Sequence, residues 1–596
     1  MTRTMSCRGP DDEGLYLRPH AALGHRRLAV IDLDRGAQPM AVDRATGAWR
    51  DGRQPGEHEL AIVYSGEVYN FREIRAELAG LGVQFHTASD TEVVLAAHRQ
   101  WGRAAVERFN GMFAYALWDD DAQELLLVRD RLGVKPLYYF PTPSGVLFGS
   151  EPKAILANPA VPRVVDADGL RQVFGFVAAP GHAVFRGMHE VTPGHTVRIG
   201  RGGVVDEAYW TLPTREHTDD LDTTIATVRD LLHDTADRQL TADVPVCTLL
   251  SGGLDSSALT ALAAQRLQAQ GRGAVRSFSV DFAGLTKSFQ PDEIRGTLDA
   301  PYVVDVARHV AADHTDIVLD NAALLDDAAR DAVLHARDLP SWGEIDTSLY
   351  LLFKAVRAQS TVALSGESAD EVFGGYKEFH DADAVNANTF PWLAGGLGKR
   401  IAGGSLLSEP FAKALDLEDY IADEYAGALA AVPAQPGQTG HEKRMREVCF
   451  LYLTRFLPNL LDRKDRMSMA VGLEVRVPFC DHRLVEYVYN TPWAMKTFDG
   501  REKSLLRAAT KELLPRSVVE RVKSPYPQTQ DPGYVSATSA LLRSRALDPD
   551  SPISHLVDLD AVEAVAADPQ VPQQNVVDRL LSVDRWVTDY GITLDV

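Results

Sequence analysis

The sequence predicts a mixed α/β chain in two parts: an N-terminal α+β part of stacked antiparallel sheets, then a part built on a parallel sheet. Three observations predict it. Up to about residue 205, short apolar runs such as Leu60 to Tyr64, Phe113 to Trp118, Leu125 to Val128 and Val146 to Phe148 recur between close turns, the spacing of antiparallel strands. Beyond about residue 225, buried-looking strands alternate with helical patterns, which implies a parallel sheet covered on both faces. Between them, Thr211 to Thr224 is polar and rich in acids and reads as a linker. The expected division is 1–205, a linker at 206–224, and 225–596.

In chain order, Phe71 to Leu78 and Asp90 to Arg99 carry helical periodicity among the N-terminal strands. In the second part Val244 to Leu250, Val275 to Val280 and Val362 to Leu364 read as buried strands. Ala258 to Leu262, Val303 to Ala312 and Thr347 to Ala358 read as helices. The Pro/Gly/Gln-rich Val432 to Gly440 is a surface loop, and from about Arg545 the pattern predicts weaker helices broken by Asp and Pro.

With 596 residues the chain is too long for one core. It carries 61 Lys and Arg against 83 Asp and Glu, a formal net charge of −22, which argues against a nucleic-acid footprint or an anionic membrane as partner. No apolar run reaches bilayer length and the start has no secretory pattern, so a cytoplasmic location is expected. Cys7, Cys247, Cys449 and Cys480 are far apart and form no zinc or redox spacing. His189, Glu190 and His195 lack metalloprotease spacing, with Pro193 between them.

The chemistry concentrates in Leu249-Leu250-Ser251-Gly252-Gly253-Leu254-Asp255-Ser256-Ser257. An apolar strand breaks into two glycines and then a helix. Backbone N–H groups and the helix N-terminus suit an anion, serine hydroxyls can donate to phosphate oxygens, and Asp255 can hold an accompanying magnesium ion. It is a pyrophosphate cradle without the Lys of a Walker A loop. A second signature, Ser365-Gly366-Glu367-Ser368-Ala369-Asp370-Glu371-Val372-Phe373-Gly374-Gly375-Tyr376, also follows an apolar strand and should reach the same sheet edge. Carboxylates gathered beside phosphate-cradling serines are costly unless metal or ligand compensates them. Basic clusters follow at Arg463 to Met469, with Glu474 to Phe479 after it, and at Gly500 to Arg507.

With these residues nearly the whole chain resembles the glutamine-dependent (class B) asparagine synthetases. The resemblance implies an Ntn-hydrolase-like glutaminase domain followed by an ATP-pyrophosphatase domain of adenine nucleotide α-hydrolase type. That domain would adenylate a carboxylate with ATP and magnesium, and ammonia would then displace AMP. Position by position, Ser251, Gly252, Gly253, Ser256, Ser257 and Gly366 match the nucleotide-binding loops, Leu249 and Val280 adenosine contacts, and Asp255 and Asp370 the magnesium-binding aspartates. Glu367 matches the glutamate beside the reacting carboxyl, and Lys503 the lysine that stabilises charge on the activated phosphate. Arg476 is a candidate clamp for the substrate carboxylate, or else part of a structural salt bridge. Implied partners are small molecules only (aspartate or another acid, and ammonia or glutamine), and the resemblance admits a homodimer.

The first part resembles the family's glutaminase through Arg8-Gly9-Pro10-Asp11, Gly24-His25-Arg26-Arg27-Leu28, Gly66-Glu67-Val68-Tyr69-Asn70, Ser89-Asp90-Thr91-Glu92 and Arg129 to Tyr138. Arg27, Glu67 and Asp90 match groups that grip glutamine, and Gly66 an oxyanion-hole N–H; Ser65 stands where the family often has Asn. The family's nucleophile is an N-terminal Cys whose α-amine, with a pKa of roughly 8, serves as base. Here Arg8 comes seven residues after the start, and the Cys-Gly-Ile opening is not matched. Cys7 has its nitrogen in a peptide bond, and Thr2, exposed by loss of Met1, would lack a positioning strand. Either the true start lies upstream or the glutaminase is inactive, so the expectation is an ATP-dependent amide-forming ligase with glutaminase activity in question. The alternatives are a tailoring or ring-closing amide synthetase, as in the similar β-lactam synthetases and lasso-peptide cyclases, and a silent scaffold.

Overall fold

The computed structural model describes residues 1–50, 57–285, 289–291, 295–394, 406–567 and 574–596. The N-terminal part centres on a seven-stranded antiparallel sheet. Across it run Gly203–Ala208, His195–Gly200, Glu124–Arg129, Gly111–Asp119, Glu59–Val68, Met40–Asp43 and Trp49–Arg50. The alternation legible in the sequence divides each central strand between two cores. Leu60, Ile62 and Tyr64, with Phe113, Tyr115 and Leu117, pack against the helices Phe71–Gly80 and Asp90–Trp101. Ala61, Val63, Ala114, Ala116 and Trp118 face the opposite way, onto Tyr16, Leu23, Leu137, Tyr139 and Val191. Those residues lie in or directly beside a second strand layer: the hairpin Asp12–Leu17 with Ala22–Arg27, and the sheet of Tyr138–Thr142, Gly145–Gly149 and His189–Glu190.

The second part holds five parallel strands in the order Asp313–Leu319, Arg276–Phe282, Val246–Leu249, Val362–Leu364 and Glu474–Arg476. The chain winds outward from Val246–Leu249 on one side, then restarts at Val362–Leu364 on the other. A crevice opens at the carboxyl ends of strands where the order reverses in this way. The first strand is shorter than Val244 to Leu250 because Pro245 has no N–H for the ladder; its carbonyl instead accepts from Thr361 and Val362. The helix Leu254–Ala269 is buried on every side from Leu254 to Ala263.

The segment 209–220 carries no regular element, and the next helix, Leu221–Gln239, starts inside the expected linker, capped by Asp220 accepting from Thr223 N. The C-terminal reading holds in part: the helix Pro532–Leu547 ends at Asp548-Pro549 and the next begins at Leu559. The last helix is not weak, however: Gln574–Tyr590 has 17 residues, with Val577, Leu580, Val583 and Trp586 buried. The strand after it, Thr593–Asp595, pairs in parallel with Val164–Asp166. Besides the helix Pro532–Leu547, Gln574–Tyr590 packs in a core with Tyr138, Ile155, Leu170 and Phe185, more than 380 residues away in sequence, and local patterning carried no sign of those distant partners. Ion pairs also tie the two parts together: Asp465 takes Arg8 at 2.7 Å and Lys135 at 2.9 Å, all three buried.

Candidate active site

The strand Val246–Leu249 ends in Leu250-Ser251-Gly252-Gly253, and Gly253 caps the helix Leu254–Ala269. Within the turn, Ser251 N donates to Ser256 Oγ at 3.1 Å and the two hydroxyls lie 3.0 Å apart. The neighbouring strand Val362–Leu364 delivers the loop Ser365 to Ser368 alongside, where a Cβ on Gly366 would lie 2.7 Å from Ser256 N. Only glycine allows the two loops to approach this closely.

Both loops open onto one cavity of about 1130 Å³. Leu249, Ser251, Gly253, Asp255, Ser256, Val280, Gly366, Glu367 and Asp370 all line it. Three expected residues stand back from the wall. A Cβ on Gly252 would meet Tyr302 Cβ at 2.7 Å, so this glycine serves packing behind the loop. Ser257 is on the buried face of the helix and its hydroxyl has no hydrogen-bond partner. Lys503 lies beneath the wall, 1 % exposed.

Lys503 nonetheless organises the wall. Its Nζ is 2.7 Å from Asp255 Oδ2 and 2.6 Å from Asp370 Oδ1. Burial opposes its charge, but the two carboxylates raise its pKa above the ordinary lysine value. Its backbone sits at φ 54°, a left-handed conformation costing a non-glycine residue about 1 kcal/mol or more. Lys523, which the sequence reading missed, lines the cavity and lies 2.6 Å from Asp370 Oδ2. Asp370 is buried, yet the two lysines hold its pKa down at about 2. Burial and the Asp370 charge push Asp255 upward. Glu371, with Tyr376 donating to it at 2.5 Å, is pushed up to about 8 by burial and by Asp370.

Glu367 forms an ion pair with Lys464 and has Arg463 Nη2 3.9 Å away. Arg521 donates to Ser251 O at 3.3 Å and pairs with Asp299. No motif pointed to Arg521 or Lys523, because both come from an irregular stretch after the last signature. The convergence of Asp255 and Asp370 on one ammonium shows that their oxygens already frame a cation position. Such a hard-oxygen pair suits magnesium beside a polyphosphate.

Arg476 does not clamp anything in this cavity. It is fully buried at the junction of the two parts, donating to Glu474 at 2.9 Å and to the carbonyls of Gln239 and Thr241, with Glu67 3.3 Å away. The last strand of the parallel sheet carries it toward the N-terminal part instead. There a second cavity of about 510 Å³ is lined by Arg27, Gly66, Glu67 and Asp90, together with Met1 and Thr2. Gly66 has φ 125°, and a Cβ on it would lie 2.0 Å from Met112 O. Arg27 donates to the carbonyls of Leu33 and Asp32. Asp90 accepts from Tyr64 Oη and Val68 N at 2.8 and 3.0 Å. Burial and the neighbouring acids Asp90 and Glu474 push Glu67 well up. Cys7 is exposed, and among the described residues no cysteine lines this cavity.

Residues 227–590 match the model of the asparagine synthase family, and residues 1–210 that of the glutamine amidotransferase domain. An asparagine synthetase (glutamine-hydrolysing) 3 of Bacillus subtilis is 40% identical, over 100% of this chain and 96% of its own length. Asparagine synthetase B of Escherichia coli is 29% identical over 88% of this chain and 78% of its own. A second B. subtilis relative, asparagine synthetase 1, is 28% identical over 88% and 83%.

Proposed function

The chain belongs to the asparagine synthase family, and from that premise we propose that it adenylates aspartate with ATP and passes ammonia to the acyl-adenylate, giving asparagine, AMP and pyrophosphate. Asparagine synthesis with glutamine hydrolysis is the activity these relatives are named for. The observation that carries the reading is the pair Asp255 and Asp370 held on Lys503 beside the Ser251–Ser256 loop, with Glu367 on the same cavity.

The roles follow from position. Ser251, Gly253 and Ser256 would donate to the pyrophosphate, and Leu249 and Val280 would flank the adenosine. Asp255 and Asp370 would hold magnesium, which when bound neutralises phosphate charge. Attack of one anion on another needs fixed positive charge at the oxygens that become more negative. Lys523 can supply that charge directly from the wall, whereas Lys503 supports it from beneath by fixing the two aspartates. Glu367, held by Lys464, is placed to orient or deprotonate the incoming nitrogen. The N-terminal cavity is suited to an α-amino acid, with Glu67 and Asp90 for its ammonium and Arg27 for its carboxylate. Ammonia is the nitrogen donor this reading commits to, and a cytoplasmic location is part of the same proposal.

The test is product analysis with aspartate, magnesium-ATP and ammonium, without glutamine. Asparagine and AMP in equal amounts are expected. Pyrophosphate release only with a different acid would replace aspartate as substrate, and none with any acid would refute the reading.

A further inference from the structure

At one end of the synthetase cavity stand two arginines that no step above uses. Arg579, on the helix Gln574–Tyr590, is 7 % exposed. One guanidinium nitrogen donates to Val173 O, its Nε is buried without a hydrogen-bond partner, and it forms no ion pair among the described residues. Burial and the nearby Arg337 charge lower it to about 9. Arg463 is also buried; its Nε has no hydrogen-bond partner, and the carboxylate oxygens beside it, on Asp346 and Glu367, are each 3.9 Å away. Asp346 is already engaged by Arg337 at 3.0 Å and by Trp342 N at 2.7 Å.

Two rings separate these arginines in a continuous stack. Arg463 lies 5.1 Å from the centre of Trp342, Trp342 is 4.9 Å from Phe176, and Phe176 is 4.7 Å from Arg579. All four line the cavity. Phe176 comes from the N-terminal part and is held at φ 55°, a strained conformation kept by its surroundings. Among the described residues the carboxylates within 4 Å of Arg337, Arg463 and Lys464 are those of Asp346 and Glu367, and none lies that close to Arg579. A buried guanidinium without an anion is costly unless a ligand supplies one, and its planar fork matches a carboxylate in two places at once.

We propose that Arg579, backed by Phe176, binds the carboxylate of the acceptor amino acid that is not activated, which in aspartate is the α-carboxylate. The inference rests on the function proposed above and assigns its acid specificity. Arg463, at the other end of the stack, neighbours Glu367, so the stack joins Arg579 to the reacting end along one wall.

The experiment compares wild type with Arg579→Gln and Arg579→Lys, using ammonium, magnesium-ATP and either aspartate or 3-aminopropanoate, which is aspartate without its α-carboxylate. The expected result for Arg579→Gln is a KM for aspartate raised roughly 30-fold or more, with KM for ATP and any turnover of 3-aminopropanoate changed less than about twofold. Arg579→Lys keeps the charge and loses the fork, so it should fall between, and it carries the test if the Gln variant does not fold. Equal losses with both acids, or an unchanged KM for aspartate, would mean a purely structural role. Calorimetric titration with aspartate separates the two ideas. Equal affinity in wild type and variant overturns this inference alone, and no binding to wild type overturns the proposed function as well.

Discussion

In the N-terminal cavity, Glu67 and Asp90 are buried together near Arg476, which already serves Glu474 and two carbonyls. In the C-terminal cavity, Asp255 and Asp370 are also buried together, but Lys503 sits between them and Lys523 caps the outer side. Both burial penalties are large, and the chain meets them differently. The first pair is left short of positive charge, so Glu67 and Asp90 are both pushed up. The second has a cation built in, and Asp370 stays low at about 2 while burial and the Asp370 charge still push Asp255 up. A site that waits for the ammonium of an amino acid must leave its acids under-compensated. A site that receives a polyphosphate must already carry cations, and here they hold Asp370 ionised.

The sharpest way to break this contrast is to remove the built-in cation. Lys503→Ala should abolish pyrophosphate release by about 100-fold or more and cost about 3–5 kcal/mol of stability by stranding two buried carboxylates. Single-turnover assay and denaturant midpoint would show both. Removing Asp465, which holds Arg8 and Lys135 across the junction, should cost a similar order of stability, about 3–5 kcal/mol. Calorimetry of Asp465→Ala would then show the two parts unfolding separately instead of together.

A smaller effect concerns pH. Glu371 is raised from the ordinary glutamate range to about 8, so between those values the folded chain keeps a proton that the unfolded chain has released. Stability from this group is therefore full at low pH and lost as pH rises toward 8. Glu371→Gln should flatten that decline by on the order of a few kcal/mol, read from urea midpoints across the range. The smallest expected effect is the counterpart in the first cavity. Glu67→Gln should leave ammonium-dependent synthesis within about twofold of wild type and should stabilise the chain slightly at neutral pH, since it removes a carboxylate whose ionisation burial opposes. A tenfold loss of synthesis in that variant would show that the two cavities are not independent.

Much of this contrast was legible in the sequence, and the rest has physical reasons for having been hidden. The alternation from Leu60 to Tyr64 showed which residues share a face, and the strand–glycine–helix grammar around Ser251 located the loop at the sheet edge. Asp255, Asp370 and Glu367 sit within motifs, so their convergence followed from neighbouring parallel strands. Arg521 and Lys523 belong to irregular chain, where no periodicity constrains direction. Arg476 was left between a substrate clamp and a structural salt bridge, and it forms the latter with Glu474 and Glu67, because charge alone does not reveal which end of a short strand feeds which cavity. Arg579 and Phe176 meet only because a C-terminal helix packs back onto the N-terminal part, a contact between residues 403 positions apart in sequence that no local pattern encodes. Lys503 lies below the wall rather than on it because its left-handed backbone turns the side chain under the two aspartates.

The central claim is that the aspartate side-chain carboxylate is adenylated in the 1130 Å³ cavity. The most direct measurement uses aspartate labelled with ¹⁸O in that carboxylate, with magnesium-ATP and ammonium, and mass analysis of the AMP. Direct attack on the α-phosphorus followed by amide formation predicts one labelled oxygen in each AMP formed with asparagine. Asparagine accompanied by unlabelled AMP would contradict the account.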